Sequence, residues 1–555
     1  MGERGESTGT VQSGLSVWEL LGMAAGGILG SGWLFAAAAA ARAAGSAAIW
    51  SWLIGGALML LVAAVMVELG TAIQRTGGLI LHPLDSSGRL VALIVAAGLW
   101  VAYATIPAVQ AVAATQGIAH WYPGLVAEPH TGRLTAAGTA CAVGLMALVH
   151  LLNLMAPRLF VRFNLALTAF KVAVPVLIAA LLLASSLTAH HAVSAPVPAG
   201  HSTLSAAMSA VVGGGVVFAY IGFQAPLDLA GHVRAPDAAT KSRLLRRAVY
   251  GTVVATVVLY TLLQTVFLGH LHEWGGGVLT SPYAAFATAA SLGWLSILVL
   301  ADAIVSPAGS ALVFSHALTR EIAELSHNDL VHGRLADAPR SRIWLPWGRR
   351  ERIYWAVLAV DFLLGAVLLF AARGNWSDLA AFNSIPLLVV YVLQGVCLLT
   401  LPQVSEAYGQ RRRQVHWLLV GASFVGVSLV LYQNGWHPLS LGLAGMGVML
   451  LVLLVVPLLL PGGVEPLLHQ IHRPEHRLEL RPAVPLLGML VTWLLADLFF
   501  RSDAGLHSRG AVVAVGVLVP LLTLAALWCM VHHSRRYARA QQRKIPRGPR
   551  QLSDS

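Results

Sequence analysis

The chain contains few charged residues, although soluble domains depend on them for their surface. Only 11% of its 555 residues are charged, whereas 57% are hydrophobic, and the mean hydropathy is +0.73. So few charges cannot cover the surface of a soluble protein of this length. The composition therefore excludes a soluble protein and predicts a polytopic membrane protein.

Cysteine and catalytic motifs are also scarce. The three cysteines, Cys141, Cys397 and Cys529, all lie in apolar segments and show neither metal-ligand spacing nor a paired loop pattern. This excludes a disulfide framework and predicts no metal site. No HExxH, nucleophile elbow or phosphate loop occurs in a suitable context. We therefore expect no catalytic residues and no cofactor, and we predict that the protein is not an enzyme. The N-terminus lacks a basic region and a cleavage site, so we expect the first apolar segment to be retained.

Apolar segments long enough to cross a bilayer, about 20 residues each, recur along the chain. The fourteen predicted segments are 16–41, 47–70, 90–118, 134–153, 159–185, 206–230, 247–269, 283–316, 350–372, 377–400, 415–433, 439–460, 483–500 and 510–532. Between segments eight and nine, residues 317–349 are polar and predict a solvated or interfacial helix. The basic tail after Tyr537 predicts a disordered segment near anionic lipid.

The net charge of +12 follows the predicted loops. With the N-terminus inside, thirty lysines and arginines fall in the inner loops and tails and five in the outer loops. Cytoplasmic loops collect basic residues. The pattern predicts that both termini are cytoplasmic. Arginine is in large excess over lysine, as in GC-rich bacteria, so the predicted location is a bacterial cytoplasmic (inner) membrane. The positive charge is thus a topology signal, and no nucleic-acid partner is expected.

The first segment contains four glycines and a serine within a short run, from Gly26 to Gly32. Glycine weakens a helix, and an open backbone amide in hydrocarbon costs several kcal/mol. A break at membrane depth is tolerated where it lines a cavity or is buried, and in transporters such breaks hold substrates and ions. The alternative is a packing face, since Gly26 and Gly30 form a GxxxG pair.

A second glycine-interrupted stretch, residues 213–223, lies in the sixth segment. Segments one and six correspond if the fold consists of two five-helix repeats of opposite topology, and paired interruptions point to a midplane binding site. The predicted fold class is an all-α polytopic membrane protein with two inverted five-helix repeats, broken helices 1 and 6, and four additional C-terminal transmembrane helices. The predicted divisions are a cytoplasmic N-terminus (1–15), a transporter core (16–400), helices 11–14 (401–533) and a basic cytoplasmic tail (534–555).

Several motifs resemble those of the amino acid-polyamine-organocation superfamily, most closely the fourteen-helix aspartate/glutamate-type bacterial transporters. They are Gly27-Ile28-Leu29-Gly30-Ser31-Gly32, Phe218-Ala219-Tyr220-Ile221-Gly222-Phe223, Val233-Arg234-Ala235-Pro236, Glu68-Leu69-Gly70, Thr76-Gly77-Gly78, Tyr103-Ala104-Thr105-Ile106-Pro107 and Ser306-Pro307-Ala308-Gly309. The resemblance covers roughly residues 16–400. Two positions depart from it, because His232 and Gln110 stand where relatives often carry an acid.

The resemblance implies a substrate site at the two interruptions. Amides at Gly30, Ser31 and Gly32 would bind the carboxylate of an amino acid, which the positive end of a half-helix dipole favours. Carbonyls at Ile28, Phe218 and Ala219 would receive its amino group. Phe218 would cover the substrate as a gate, and Tyr220 would add contacts nearby. Ordinary helix packing is the alternative for both aromatic residues.

Lys171, in the fifth segment, is an ionisable residue in an apolar stretch and therefore a functional hypothesis, commonly part of a proton relay. In proton-coupled relatives such a lysine occupies the place where sodium-coupled members bind sodium. Ser306 and Ser310 are its predicted partners in helix eight. Asp302 lies one turn before Ser306 and fits either a relay role or a structural hydrogen bond. The alternative for Lys171 is a side chain that extends to the cytoplasmic edge.

The resemblance thus implies import of an amino acid or close analogue by alternating access and proton symport. An amino acid exchanger and a non-transporting membrane sensor are the alternatives. The expected partners are an amino acid, protons and membrane lipid; the sequence leaves the particular amino acid, the oligomeric state and the role of helices 11–14 open.

Overall fold

The computed structural model describes residues 17–75, 77–128, 131–153, 157–188, 196–198, 202–228, 230, 233, 235–271, 282–328, 330–331, 335, 354–409, 412–459, 477–500 and 509–544. The helices of the first half are α1 Val17–Ile28, α2 Gly32–Ala44, α3 Ala48–Ala72, α4 Gly78–Ser87, α5 Arg89–Ile118, α6 Ala136–Leu152, α7 Pro157–Thr188, α8 Thr203–Gly213, α9 Val216–Tyr220, α10 Ala225–Asp228 and α11 Ala238–Gly269. Those of the second half are α12 Pro282–Ala289, α13 Gly293–His327, α14 Trp355–Ala371, α15 Trp376–Thr400, α16 Pro402–Tyr408, α17 Arg412–Asn434, α18 Trp436–Leu459, α19 Arg477–Leu480, α20 Ala483–Phe500 and α21 Arg509–Lys544. An antiparallel strand pair, β1 Val126–Glu128 and β2 Arg133–Leu134, lies between α5 and α6.

The helices account for all fourteen predicted segments. Within the described residues, ten helical stretches are long and apolar enough to cross a membrane, and the first, Trp18–Ala72, spans the first two predicted segments. The shorter apolar helices α6, α8 and α14 fall in segments four, six and nine. The all-α, multi-pass class predicted from composition is therefore confirmed.

Some predicted boundaries are wrong. The eighth segment is two helices, α12 and α13, because Ser291 takes a positive φ of 61° between them. Helix α13 continues to His327 with buried side chains such as Ile322 at 0% exposure, so residues 317–327 are not a solvated helix; most of 328–349 lies outside the described residues. Helix α21 reaches Lys544, which contradicts disorder up to that residue. Helix α4 was not predicted.

Helix α5 lies at the centre of the molecule. Every residue from 91 to 117 is buried, as expected for a helix that is apolar all round. It packs against α13, α15, α14, α18 and α6. The hydrophobic core is therefore organised around the third predicted membrane segment.

Two interruptions meet beside this core. The first separates α1 from α2 at residues 29–31; the second separates α8, α9 and α10. Gly215 and Gly222 take positive φ values of 74° and 129°, which favour glycine. A Cβ on Gly222 would lie 2.5 Å from the carbonyl carbon of Gly27. Both predicted interruptions are thus present, and their glycines also allow the two backbones to pack directly together.

The last membrane helices pack onto this unit. Helix α17 contacts α3, α8 and α15, whereas α18 contacts α5 and α15. Helix α21 packs against α4, α15, α17 and α20. The helices on either side of residue 401 are thus in contact with each other. The predicted division of the chain at this residue stays a prediction.

Candidate substrate site

The break in the first segment leaves backbone amides without helical partners. The amides of Leu34 and Phe35 both donate to the carbonyl of Ser31, at 3.1 and 3.2 Å. The amides of Gly32 and Trp33 therefore begin α2 without an intrahelical acceptor, as at any helix N-terminus. The amide of Ser31 donates to Oε1 of Gln110 at 2.9 Å. A side-chain oxygen thus occupies one of the amides predicted to bind a carboxylate.

A chain of polar side chains surrounds Ser31. Nε2 of Gln110 donates to Ser310 Oγ at 3.3 Å, and Ser310 Oγ donates to the carbonyl of Gly27 at 3.0 Å. Trp376 Nε1 donates to Ser31 Oγ at 2.8 Å. These four side chains are at most 3% exposed. The site is therefore closed and hydrogen-bonded to itself in this structure.

The absence of a side chain at Gly30 makes this arrangement possible. A Cβ at this position would lie 2.6 Å from Gln110 Nε2 and 2.9 Å from Ser310 Oγ. A Cβ on Gly32 would lie 2.7 Å from the Cα of Ala219. The glycines predicted to expose amides thus also admit neighbouring polar groups and the second broken helix.

The carbonyls predicted to receive an amino group are partly occupied. The carbonyl of Ile28 accepts from the amide of Gly30 at 2.9 Å and from the hydroxyl of Tyr260 at 3.2 Å. The carbonyl of Phe218 accepts from the amide of Ile221 at 3.2 Å. A ligand amino group would therefore compete with Tyr260 at the first of these oxygens.

The two aromatic residues of α9 have different surroundings. Phe218 packs edge-on against Trp376, with ring centroids 5.7 Å apart, and Trp376 is the side chain that holds Ser31. Tyr220 instead donates to the carbonyl of Trp52 and packs against the Trp52 and Tyr260 rings. The structure therefore brings Phe218 to the site, whereas the contacts of Tyr220 are those of helix packing.

Lys171 is fully buried rather than extended to the membrane edge, so the alternative interpretation of this lysine is wrong. Its Nζ donates to the carbonyl of Gly26 at 2.5 Å, within the first broken helix. Helix α7 packs between α1 and α13, and this packing directs the lysine inward. Lys171 therefore supplies a hydrogen-bond donor to a carbonyl near the break.

Asp302 is the carboxylate that acts electrostatically on Lys171. It is fully buried and accepts from Ser306 Oγ at 2.8 Å. Ser306 thus bonds to Asp302, and Ser310 bonds to the broken helix; neither serine is hydrogen-bonded to Lys171. The hydrogen bond to Ser306 is present, as in the structural alternative for Asp302, and its relay role stays a prediction.

Several site residues were not predicted. Gln224 accepts from the amide of Gly222 at 3.0 Å and donates to Tyr103 at 2.9 Å, so it serves the second break as Gln110 serves the first. A glutamine in an apolar segment is a usable signal, but nothing in the sequence connects Trp376 to Ser31. His232 lies outside the described residues.

A buried polar site between two interrupted membrane helices defines a helical membrane transporter. Solved structures agree at the level of the fold. A mutant form of the manganese transporter of Eremococcus coleocola superposes with a TM-score of 0.51 at 14% identity, covering 97% of each chain. The same transporter in complex with an aromatic bis-isothiourea substituted compound gives the same TM-score at 12% identity and the same coverage. Among the described residues, no group of three or more His, Cys, Asp and Glu side chains is placed to hold a metal ion.

The family model for amino acid permeases matches residues 15–463, and the chain belongs to this family. It is 29% identical over 461 residues to the aspartate-proton symporter of Bacillus subtilis, covering 80% of this chain and 84% of the relative. It is 30% identical over 446 residues to the glutamate/serine transporter AimA of the same organism, covering 76% and 77%. The predicted superfamily is therefore confirmed. The protein is a multi-pass amino acid permease rather than an enzyme.

Proposed function

We propose that the protein imports an amino acid by alternating access and couples this import to proton symport. The observation that carries the proposal is the buried helix break before α2, where the amide of Ser31 donates to Gln110 Oε1 and the amides of Gly32 and Trp33 have no intrahelical acceptor. The names of two relatives, an aspartate-proton symporter and a glutamate/serine transporter, support an amino acid as substrate.

The amino acid carboxylate would bind the amides of Ser31 and Gly32, together with that of Gly30, whose bond to the carbonyl of Ile28 would have to break. Gln110 Oε1 already accepts from Ser31 at 2.9 Å, as a carboxylate oxygen would. Binding therefore exchanges a neutral acceptor for an anionic one, and hydrogen bonds to charged groups are about twice as strong. Gln110 would then act as the acceptor that fills the site when it is closed.

The amino group would lie between the carbonyls of Ile28, Phe218 and Ala219. Phe218 packs edge to face against Trp376, whose Nε1 donates to Ser31 Oγ, so rotation of Phe218 would open the space that a substrate needs. Tyr220 would contribute by holding α9 against Trp52, through its 3.1 Å bond. In these assignments, backbone groups bind the carboxylate and the amino group that all amino acids share. The side chains that line the site would determine which amino acid is selected.

Proton coupling is assigned to Lys171, with Asp302, Ser306 and Ser310 as its surroundings. Lys171 binds the carbonyl of Gly26, and Ser310 binds that of Gly27, so both act on one turn of α1 just before the break. Loss of a proton from Lys171 would weaken its hold on this turn, because a neutral amine is a poorer donor than an ammonium. Proton binding and the geometry of the carboxylate site are thereby linked.

The predicted topology, with both termini cytoplasmic, belongs to the same proposal. It rests on the excess of basic residues in one set of loops, and it places residues 1–15 and 534–555 on the cytoplasmic side. Residues 16–400 would form the transporting core, with helices 11–14 (401–533) packed against it.

Uptake of a panel of labelled amino acids into proteoliposomes tests the proposal. The vesicles would carry an inward proton gradient without sodium, and their lumens would be empty or loaded with amino acid. We expect accumulation in empty vesicles that collapses with a protonophore. Uptake only into loaded vesicles would contradict symport and indicate an exchanger, with Lys171 as a fixed cation. Binding without any flux would indicate a sensor.

A further inference from the structure

A cavity lies where the end of α15, the start of α17 and the C-terminal part of α21 meet, away from the broken helices. Its volume is about 310 Å³, at the lower end of the range of roughly 300–1,000 Å³ for small-ligand pockets. Its walls come from the end of α15, the short helix α16, and polar residues of α17 and α21. The cavity therefore lies between the core and the additional C-terminal helices.

The charge of this cavity is strongly positive. Arg413, Arg535 and Arg539 line it, against a single acid among its described lining residues, Glu406. Arg413 and Arg539 are close enough to act electrostatically on Arg535. Among the described residues, no carboxylate lies within 4 Å of these three arginines. Three converging cations repel each other, and a bound anion would offset that repulsion.

One of the three arginines is held in place. Nε and Nη2 of Arg535 donate to the carbonyl of Leu399 at 3.2 and 3.0 Å. Its guanidinium lies 5.7 Å from the ring centroid of Trp417, a cation–π distance. Arg413 and Arg539 donate to no other described residue, so their donors face the cavity or solvent. A fixed cation flanked by two adaptable ones suits a tetrahedral oxyanion.

The exposed side chains around the cavity place it beside lipid. On α17, Val415 and Leu418 closely follow Arg413 and are 59% and 75% exposed. On α21, Trp528 is 61% exposed two turns before Arg535. Exposed apolar side chains of a membrane helix face lipid, and tryptophan is enriched at the membrane interface. The arginines therefore lie at the level where lipid phosphates are found.

We propose that this cavity binds the phosphate headgroup of an anionic membrane lipid. Basic pockets between membrane helices are known to bind anionic headgroups. Here the bound phosphate would join α17 and α21 to the end of α15, and would thus stabilise the C-terminal helices on the core. The proposal does not depend on the amino acid or the coupling ion.

Native mass spectrometry of the purified full chain tests this proposal. The probes are phosphatidylglycerol, phosphatidylcholine and inorganic phosphate, each added to delipidated protein. The test variant is Arg413→Gln/Arg539→Gln. The control, Arg243→Gln/Arg536→Gln, also removes two positive charges but does not touch the cavity. Loss of one charge-assisted contact weakens binding by about tenfold, so we expect phosphatidylglycerol to bind at least tenfold more weakly to the test variant and nearly unchanged to the control.

Thermal unfolding in detergent gives the second readout. Phosphatidylglycerol should raise the unfolding temperature of the wild type and of the control, but not that of Arg413→Gln/Arg539→Gln. Equal losses in both variants would overturn the site in favour of non-specific surface attraction. Equal binding of phosphatidylcholine, or saturation by inorganic phosphate alone, would overturn an anionic lipid as its occupant.

Discussion

Replacement of Lys171 by methionine separates its structural role from its role in coupling. Methionine keeps most of the length of the side chain but removes the ammonium that donates to Gly26 at 2.5 Å. Asp302 is fully buried and loses the cation that acts on it, although Ser306 still donates to it. Lys171→Met therefore leaves the buried Asp302 carboxylate hydrogen-bonded to Ser306 but without the nearby positive charge.

The expected cost follows from this burial. Removal of one partner from a buried contact ion pair destabilises a protein by about 3–5 kcal/mol, whereas a neutral pair of similar shape is often tolerated. The Lys171 Nζ and the Asp302 carboxylate are more than 4 Å apart, so we expect a smaller loss from Lys171→Met. The double variant Lys171→Met/Asp302→Asn removes both charges, and its amide can still accept from Ser306. We therefore expect the double variant to recover most of the stability that the single variant loses.

Two assays distinguish the roles. Thermal unfolding in detergent should rank the double variant above Lys171→Met, and proton-driven uptake should be lost in both. Lys241→Met is the matched control, because Lys241 is only partly buried near the start of α11, and it should keep stability and uptake. A double variant no more stable than Lys171→Met would refute the pairing. Concentrative uptake by Lys171→Met at the wild-type level would refute its coupling role.

Three further substitutions test the site and its supports. Ser31→Pro fits the local φ of −71° but removes the amide; loss of a charge-assisted bond should weaken amino acid binding about ten- to hundredfold, whereas Ser31→Ala should bind almost normally in the same equilibrium assay. Gly222→Ala places a Cβ 2.5 Å from backbone at a φ of 129° and should destabilise the protein by about 2 kcal/mol or more in thermal unfolding; Gly144→Ala, with open space, should not. Glu68→Gln should destabilise the protein measurably, because its carboxylate binds one arginine at 2.7 Å and another at 3.3 Å; Asp85→Asn, in an exposed pair, should change stability by less than about 1 kcal/mol. Equal effects of Glu68→Gln and Asp85→Asn, or normal binding by Ser31→Pro, would contradict these assignments.

Much of the fold could be predicted from local patterns. Runs of apolar residues predict membrane helices because hydrocarbon forces every backbone group into an internal hydrogen bond. The same constraint makes the glycine-rich stretches at residues 26–32 and 213–223 conspicuous, and both are interrupted in the structure. The residues at which helices end were predicted less well than the helices themselves, because local composition does not determine where a buried helix such as α13 ends.

The sequence by itself determined that this protein crosses a membrane, where two of its helices break, and that Lys171 is exceptional. Only the tertiary structure decided which groups meet at those breaks. Gln110 reaches Ser31 across 79 positions and Trp376 reaches it across 345. Periodicity and propensity act over a few residues, whereas these contacts depend on how whole helices pack. The partners of the broken helices were therefore set by packing, although the need for such partners was evident from the chain.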